Sequence, residues 1–213
     1  MLKGTRTVRK VSREIADAAN GAFDVYRNGE IEEEPAITAF ILGAISERIR
    51  HLRPHGIVWK TRILRASRGV AAEEGRHGAD LMGVLDVDIP DYSTKKGFLA
   101  QAKKAEPNIN FSRVEWIRLT EQCEIMLKRT PDSFIFVYSK LKGIRIFPAV
   151  SVLGLNSRNI FDLYDRGISG FFENFIECFI GDSRLNSASI ETLDALADFR
   201  VESVLELSAR VPE

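Results

Sequence analysis

Three polar residues with the chemistry to act on a phosphodiester lie at the ends of two short apolar segments. Asp80 precedes the segment 81–89, and Gln101 and Lys103 end the segment 97–103. A carboxylate and an amide oxygen can bind a hard cation such as Mg²⁺, and an ammonium group can position the water that attacks phosphorus. These residue types suit a hydrolytic metal site if the fold brings them together.

A β-hairpin is the element that would bring them together. Both segments have the length and composition of strands, and residues 90–96 contain turn formers. Opposed residues of a hairpin have numbers with a constant sum, and pairing Asp80 with Lys103 gives 183, which centres the turn between 91 and 92. Because strand side chains alternate, Gln101 and Lys103 share a face with Leu99. The opposite face then carries Phe98, Ala100 and Ala102.

The two motifs Gly78-Ala79-Asp80 and Gln101-Ala102-Lys103 together resemble the PD-(D/E)xK, or restriction endonuclease-like, nuclease superfamily in its G-A-D and Q-x-K variant. The resemblance covers about residues 34–150. Two features depart from the superfamily pattern: no proline precedes Asp80, and an amide at Gln101 replaces the usual acid. Pro90-Asp91 spells the literal motif, but it falls at the predicted turn.

The resemblance implies an α/β fold whose core is a central mixed β-sheet flanked by helices. It divides the chain into an N-terminal helical extension (1–33), a nuclease core (34–150) and a C-terminal helical extension packed on the core (151–213). The implied activity is a Mg²⁺-dependent DNA endonuclease, with Mn²⁺ as a substitute cation. Many compact members act against foreign DNA, so the resemblance also implies a restriction or antiviral defence role.

The same resemblance assigns the site residues. Asp80 and the carbonyl of Ala102 bind the cation, Gln101 shapes the site, and Lys103 positions or polarises the attacking water. Glu74, six residues before Asp80, is the nearest candidate for a second acid. One further acid is expected from the first core helix, and the sequence leaves both Glu34 and Glu47 open.

Overall charge does not distinguish a DNA-binding protein here, because 30 basic residues balance 30 acidic ones. Any contact with phosphates must therefore come from local clusters. The candidates are Arg62, Arg65, Lys95 and Lys96. Arg62 and Arg65 belong to a basic strand segment that also contains Lys60 and Arg68, and the alternative interpretation is that about half of that segment's basic side chains only face solvent.

Other function classes find little support in the composition. The two cysteines and three histidines lack the spacing of a zinc site, and both cysteines are expected to be buried free thiols. The sequence contains no signal-like N-terminus and no apolar stretch long enough to span a membrane, which predicts a soluble cytoplasmic protein without membrane association. Partners other than DNA would be a second copy of the chain or a defence-system protein.

Periodicity predicts the remaining elements. Helices are expected at 7–26, 34–52, 112–129, 170–180 and 190–199, and further strands at 57–66, 133–138 and 144–147. Residues 199–207 fit either a strand or a continued helix. The phenylalanine-rich segment 170–180 fits either deep core or an oligomer surface.

Two further hypotheses of function stay open at this stage. Replacement of an acid by an amide also occurs where catalysis has been lost, so the chain could be an inactive nucleic-acid-binding module. It could also be a partner subunit with a nuclease fold. Retention of both Asp80 and Lys103 favours the enzyme.

Overall fold

The computed structural model describes residues 5–65, 77–90, 92–187 and 200–212. The helices are α1 (Thr5–Arg27), α2 (Glu34–Arg50), α3 (Arg113–Leu127), α4 (Ala149–Leu153) and α5 (Ile168–Ile176). The strands are β1 (Val58–Arg65), β2 (His77–Ile89), β3 (Tyr92–Lys104), β4 (Ser133–Ser139), β5 (Gly143–Pro148), β6 (Arg166–Gly167) and β7 (Arg200–Arg210). Short 3-10 turns occupy Pro54–Gly56 and Ile160–Asp162.

Local sequence accounts for the helix boundaries. The helix α1 ends where Gly29 adopts a φ of 79°, a conformation that glycine tolerates better than other residues. The helix α2 carries a proline in its first turn. At the start of α3, the Ser112 hydroxyl accepts from the Glu115 N–H at 3.2 Å and the Glu115 carboxylate accepts from the Ser112 N–H at 2.9 Å. This is the capping box that the sequence predicts.

The strands form one seven-stranded sheet in the order β1-β7-β2-β3-β4-β5-β6. The pairs β7/β2 and β3/β4 are parallel and the other neighbours are antiparallel. Residues of α1, α2 and α5 pack on one face of the sheet, and residues of α3 and α4 pack on the other. The predicted α/β class, with a mixed sheet flanked by helices, is confirmed.

The C-terminal strand β7 lies inside the sheet, between β1 and β2. The segment 151–213 was expected to be a helical extension, but its strand supplies hydrogen-bonding partners to both neighbours. A boundary at residue 150 therefore does not separate the sheet from the C-terminal segment. The expected helix 190–199 lies outside the described residues. Of the two interpretations of 199–207, the structure has the strand over the described residues 200–207.

The phenylalanine-rich helix α5 belongs to the core. Phe171, Phe172 and Phe175 are at most 2% exposed, whereas Phe179, beyond the end of the helix, is 77% exposed. The helix has nine residues and stops at Ile176, four residues before the predicted end. No helix in the described part of the chain is long and apolar enough to cross a membrane.

Phe98 of β3 centres this aromatic core. Its ring lies 4.9 Å from that of Phe175 and 5.0 Å from that of Phe171, both edge-to-face. Its partner across β2 is Gly83, where a Cβ atom would lie 2.1 Å from the Phe98 ring. The glycine therefore leaves the space that the ring fills.

We predict that Phe98→Ala destabilises the fold by about 3–5 kcal/mol, the usual cost of removing a fully buried phenylalanine. Phe98 is 0% exposed, whereas the control position Phe179 is 77% exposed. The free energies of unfolding from urea titrations of the two alanine variants test this. Similar losses at the two positions would contradict the assignment of Phe98 to the centre of the core.

Candidate active site

The register of the β2–β3 hairpin decides which polar residues meet. Pairs run from Ile89↔Tyr92 to Leu81↔Ala100, so opposed numbers add up to 181. The predicted sum of 183 is therefore wrong by two, and Asp80 continues the ladder opposite Gln101 instead of Lys103. The physical reason is the short connection: Ile89 already pairs with Tyr92, so only two residues of sequence separate the paired strands.

Asp80 makes two hydrogen bonds across the hairpin. The side-chain nitrogen Nε2 of Gln101 donates to its Oδ2 atom, and the backbone N–H of Ala102 donates to the same oxygen at 2.8 Å. The carboxylate thus caps the end of the ladder between the two strands. Ala102 contacts Asp80 through its N–H, and the role expected for its carbonyl stays a prediction.

Gln101 is buried, with 2% of its surface exposed. Its Nε2 atom contacts Asp80, but its Oε1 atom has no hydrogen-bond partner among the described residues. Leaving a buried polar atom unsatisfied costs about 1–3 kcal/mol. The orphan oxygen belongs to the same amide group that contacts the carboxylate, so an acceptor oxygen without a donor lies next to Asp80.

The environment makes the charge on Asp80 costly. Burial raises the pKa of the Asp80 carboxyl above its ordinary value, and the nearby Glu202 carboxylate raises it further. The hydrogen bond from Ala102, the positive charge of Lys103 and the hydrogen bond from Gln101 lower the pKa, but burial prevails. A cation bound at this carboxylate would stabilise its ionised form.

Lys103 lies on the same face of β3 as Gln101, one pleat further along. Its Nζ atom is 4.0 Å from Glu34 Oε2, and its side chain is 21% exposed. The other oxygen of Glu34 accepts from the Lys104 N–H at 2.8 Å. Glu34, at the start of α2, therefore ties that helix to the end of β3 and lies beside the Lys103 ammonium.

Glu47 does not reach this cluster. It pairs with Arg50 at 3.2 Å and with His51 at 3.3 Å on the exposed side of α2. It is also thirteen residues from Glu34, which corresponds to about 20 Å along a helix axis. Of the two candidate helix acids, the structure places Glu34 next to the site residues and Glu47 away from them.

Glu202 of β7 is a site residue that the sequence analysis missed. Ala79 pairs with Val201 and Leu81 with Ser203, so Asp80 and Glu202 are neighbours across two parallel strands. Glu202, Asp80 and Gln101 thus form one row across β7, β2 and β3. The pattern of 199–207 fits a strand or a continued helix, and no local pattern shows that a strand there would insert beside β2.

The predicted DNA-contacting residues differ in their exposure to solvent. Arg62 pairs with Glu206 at 2.7 Å and Lys95 with Asp86 at 3.4 Å, and both basic side chains are 58% exposed. The Lys96 amine differs from the expectation: this residue is 4% exposed, and its Nζ donates to the Ile180 carbonyl. A buried amine cannot reach a phosphate on the surface, so Lys96 is removed from the candidates.

The exposure of one cysteine also differs from the prediction that both are buried. Cys178 is exposed and has a φ of 67°, next to the Tyr92 hydroxyl, whereas Cys123 is buried as expected. Both thiols are free. Two other predicted residues cannot be placed: Glu74 lies outside the described residues, and so does the side chain of Arg65.

Comparison with known protein families, curated proteins and solved structures gives no match to this chain. Within the described residues, no group of three or more histidine, cysteine, aspartate or glutamate side chains is arranged to hold a metal ion. The site must therefore be judged on the smaller donor set of Asp80, the Gln101 oxygen and neighbouring carboxylates. Mg²⁺ is commonly held by one or two carboxylates, with waters and substrate phosphates completing its shell.

We predict that Gln101→Glu preserves or increases cleavage at low Mg²⁺, because it adds a negative ligand at nearly constant shape. A Mg²⁺ titration of cleavage by the variant and the wild type measures this. The Gln101→Leu variant is the control, since it keeps the approximate size and removes both polar atoms. Loss of activity in Gln101→Glu would instead indicate that the amide contacts the substrate directly.

Proposed function

We propose that the chain is a metal-dependent DNA endonuclease that hydrolyses phosphodiester bonds. The observation that carries the proposal is the arrangement at the end of the β2–β3 hairpin. There, the partly buried Asp80 carboxylate lies against an amide whose oxygen has no partner among the described residues, and Lys103 lies on the same face. A carboxylate and a neutral oxygen can hold the cation for such hydrolysis, and an ammonium can position the attacking water.

The residues present fit a hard divalent cation. Asp80 offers a carboxylate, and Gln101 offers a neutral oxygen to which no described residue donates. Such oxygen atoms are the ligands that Mg²⁺ and Mn²⁺ accept. A bound cation would supply charge neutralisation at the scissile phosphate and would lower the pKa of the attacking water. The carbonyl of Ala102 is a further proposed ligand.

Lys103 would act on the water. In the hydrolysis, a water oxygen forms a bond to phosphorus, the bond from phosphorus to the leaving sugar oxygen breaks, and one water proton is released while the leaving oxygen is protonated. The Lys103 ammonium can orient the water and offset the negative charge that develops on the phosphoryl oxygens. Glu34, 4.0 Å from its Nζ atom, positions this ammonium.

Exposure gives the substrate a direction of approach. Gln101 is 2% exposed, but the side chain of Lys103 is 21% exposed. A phosphate therefore reaches the site from the Lys103 side and not through the sheet. The exposed Arg62 and Lys95 are candidates for contacts to the DNA backbone elsewhere on the surface.

One observation favours an inactive fold as the second candidate. The Gln101 amide and the Ala102 N–H already satisfy one oxygen of Asp80, so these contacts could serve only to lock the hairpin. Purified protein should be incubated with supercoiled plasmid, linear duplex, single-stranded DNA and RNA, in Mg²⁺, Mn²⁺ or EDTA. Cleavage of DNA that requires the cation supports the enzyme. Binding without cleavage in either cation would support the inactive module.

The proposed role in defence against foreign DNA rests on the family resemblance alone. The same holds for a partner protein from a defence system. The alternative interpretation of 170–180 as an oligomer surface does not hold for helix α5, whose phenylalanines are buried within one chain. A homodimer would therefore need a different surface.

A further inference from the structure

We propose that Glu202 of β7 is the second carboxylate ligand of the Asp80 site, so that a divalent cation bound at Asp80 has ligands from β7, β2 and β3. The inference rests on the proposed nuclease function, whose cation site it completes. Glu202 takes the place of Glu74 as the proposed second acid of the site. It also explains why the C-terminal strand belongs to the site as well as to the fold.

The register places the two carboxylates side by side. Asp80 is bracketed by the pairs Ala79↔Val201 and Leu81↔Ser203, which put Glu202 directly beside it on β7. Neighbouring strands lie about 4.8 Å apart, and paired residues project from the same face. Two carboxylates at this separation can bind one cation.

The amide of Gln101 supplies an independent indication of a ligand. It flanks Asp80 on the side opposite Glu202, is 2% exposed, and has an Oε1 atom without a partner among the described residues. Buried acceptor oxygens in native proteins almost always have a hydrogen-bond donor or another partner. A cation at Asp80 would satisfy the Gln101 oxygen, whereas no hydrogen bond from the described residues does.

Charge explains why Glu202 is needed. Gln101 offers oxygen without charge, so Asp80 alone would bind Mg²⁺ weakly. The register of β2 and β7 places the Glu202 carboxylate beside that of Asp80, on strands about 4.8 Å apart. Like charges at such a distance repel each other, and a divalent cation between them removes this repulsion. A second carboxylate therefore strengthens cation binding at the site.

The test is Mn²⁺ binding to the full chain, measured by electron paramagnetic resonance of the free ion, without DNA. We expect Glu202→Gln and Asp80→Asn each to weaken Mn²⁺ affinity by about tenfold or more. Glu206→Gln is the matched control, because it removes the same charge from the same face of β7 about 13 Å away. It should change the affinity less than about twofold, and so should Glu74→Gln.

The variants separate the inference from the proposed function. If Asp80→Asn weakens binding but Glu202→Gln does not, Glu202 is not a ligand, while the Asp80 site stands. If the wild type binds no Mn²⁺, or Asp80→Asn binds it like the wild type, the cation site itself is wrong and the inference fails with it. If Glu74→Gln produces the loss expected of Glu202→Gln, Glu74 is the second acid.

A structural role for Glu202 predicts a different result. Thermal unfolding without metal should remain a single cooperative transition for Glu202→Gln, so that lost affinity reflects a lost ligand and not an unfolded chain. Glu202→Asp keeps the charge and shortens the side chain, and its affinity should lie between those of the wild type and Glu202→Gln. Equal losses in both variants, together with a lower Tm in both, would overturn the assignment.

Discussion

Asp80→Asn should lower the rate of Mg²⁺-dependent DNA cleavage by about 10³-fold or more, because it removes the central anionic ligand of the proposed site. The variant should keep the fold and stability of the wild type. Asparagine keeps an oxygen that can accept from Gln101 and from the Ala102 N–H, the two donors that hold Asp80. Single-turnover cleavage of a labelled duplex measures the rate.

The expected effect on stability depends on the pKa. Burial, supported by Glu202, raises the pKa of Asp80 in the folded chain above its unfolded value. The protonated carboxyl therefore contributes fully to the stability of the fold below the unfolded pKa, and this contribution is lost as the pH rises through the folded pKa. At neutral pH the ionised carboxylate therefore costs stability, and Asp80→Asn should have an equal or higher Tm without metal. A large fall in Tm would show that Asp80 mainly holds the hairpin.

Lys103→Ala should lower the cleavage rate by about 10²–10⁴-fold while it leaves the affinity for duplex DNA nearly unchanged. The reason is that one ammonium at the reaction centre acts on the transition state, whereas duplex binding is spread over many phosphate contacts. Gel-shift titration in Ca²⁺, which would support binding without cleavage, gives the affinity. Rapid-quench cleavage in Mg²⁺ gives the rate.

The neighbouring lysine provides the control for Lys103. Lys104 projects from the opposite face of β3, and its Nζ donates to the Glu32 carbonyl at 2.9 Å. Lys104→Ala should therefore cleave at nearly the wild-type rate. If Lys103→Ala loses affinity and rate in equal proportion, Lys103 is a phosphate-binding residue and does not act on the water.

Most helices and strands could be predicted because their patterns are local. The apolar spacing of α1, the Ser112–Glu115 capping box and the alternation in β4 are properties of short segments. The choice of face on β3 was also correct: Leu99 belongs to one side of the sheet and Phe98 to the other. Alternation alone fixes such a choice.

The features that could not be predicted depend on non-local contacts. The hairpin register differs by two because β3 begins at Tyr92, whose hydroxyl donates to the Ile176 carbonyl at 3.1 Å. Lys96 resembles a surface lysine in sequence, but the loop after α5 covers it. Glu202 is 122 residues beyond Asp80, and only the insertion of β7 between β1 and β2 makes them neighbours.

The most direct test of the central claim is cleavage of supercoiled plasmid in Mg²⁺ by wild type, Asp80→Asn and Asp88→Asn, purified side by side. Asp88 lies on the same strand and face as Asp80, about 26 Å away, so its variant removes the same charge elsewhere. We predict that wild type and Asp88→Asn convert the plasmid to nicked and linear forms, that EDTA stops both, and that Asp80→Asn leaves it supercoiled. Equal conversion by all three proteins, or none by the wild type in either Mg²⁺ or Mn²⁺, would contradict a nuclease site at Asp80.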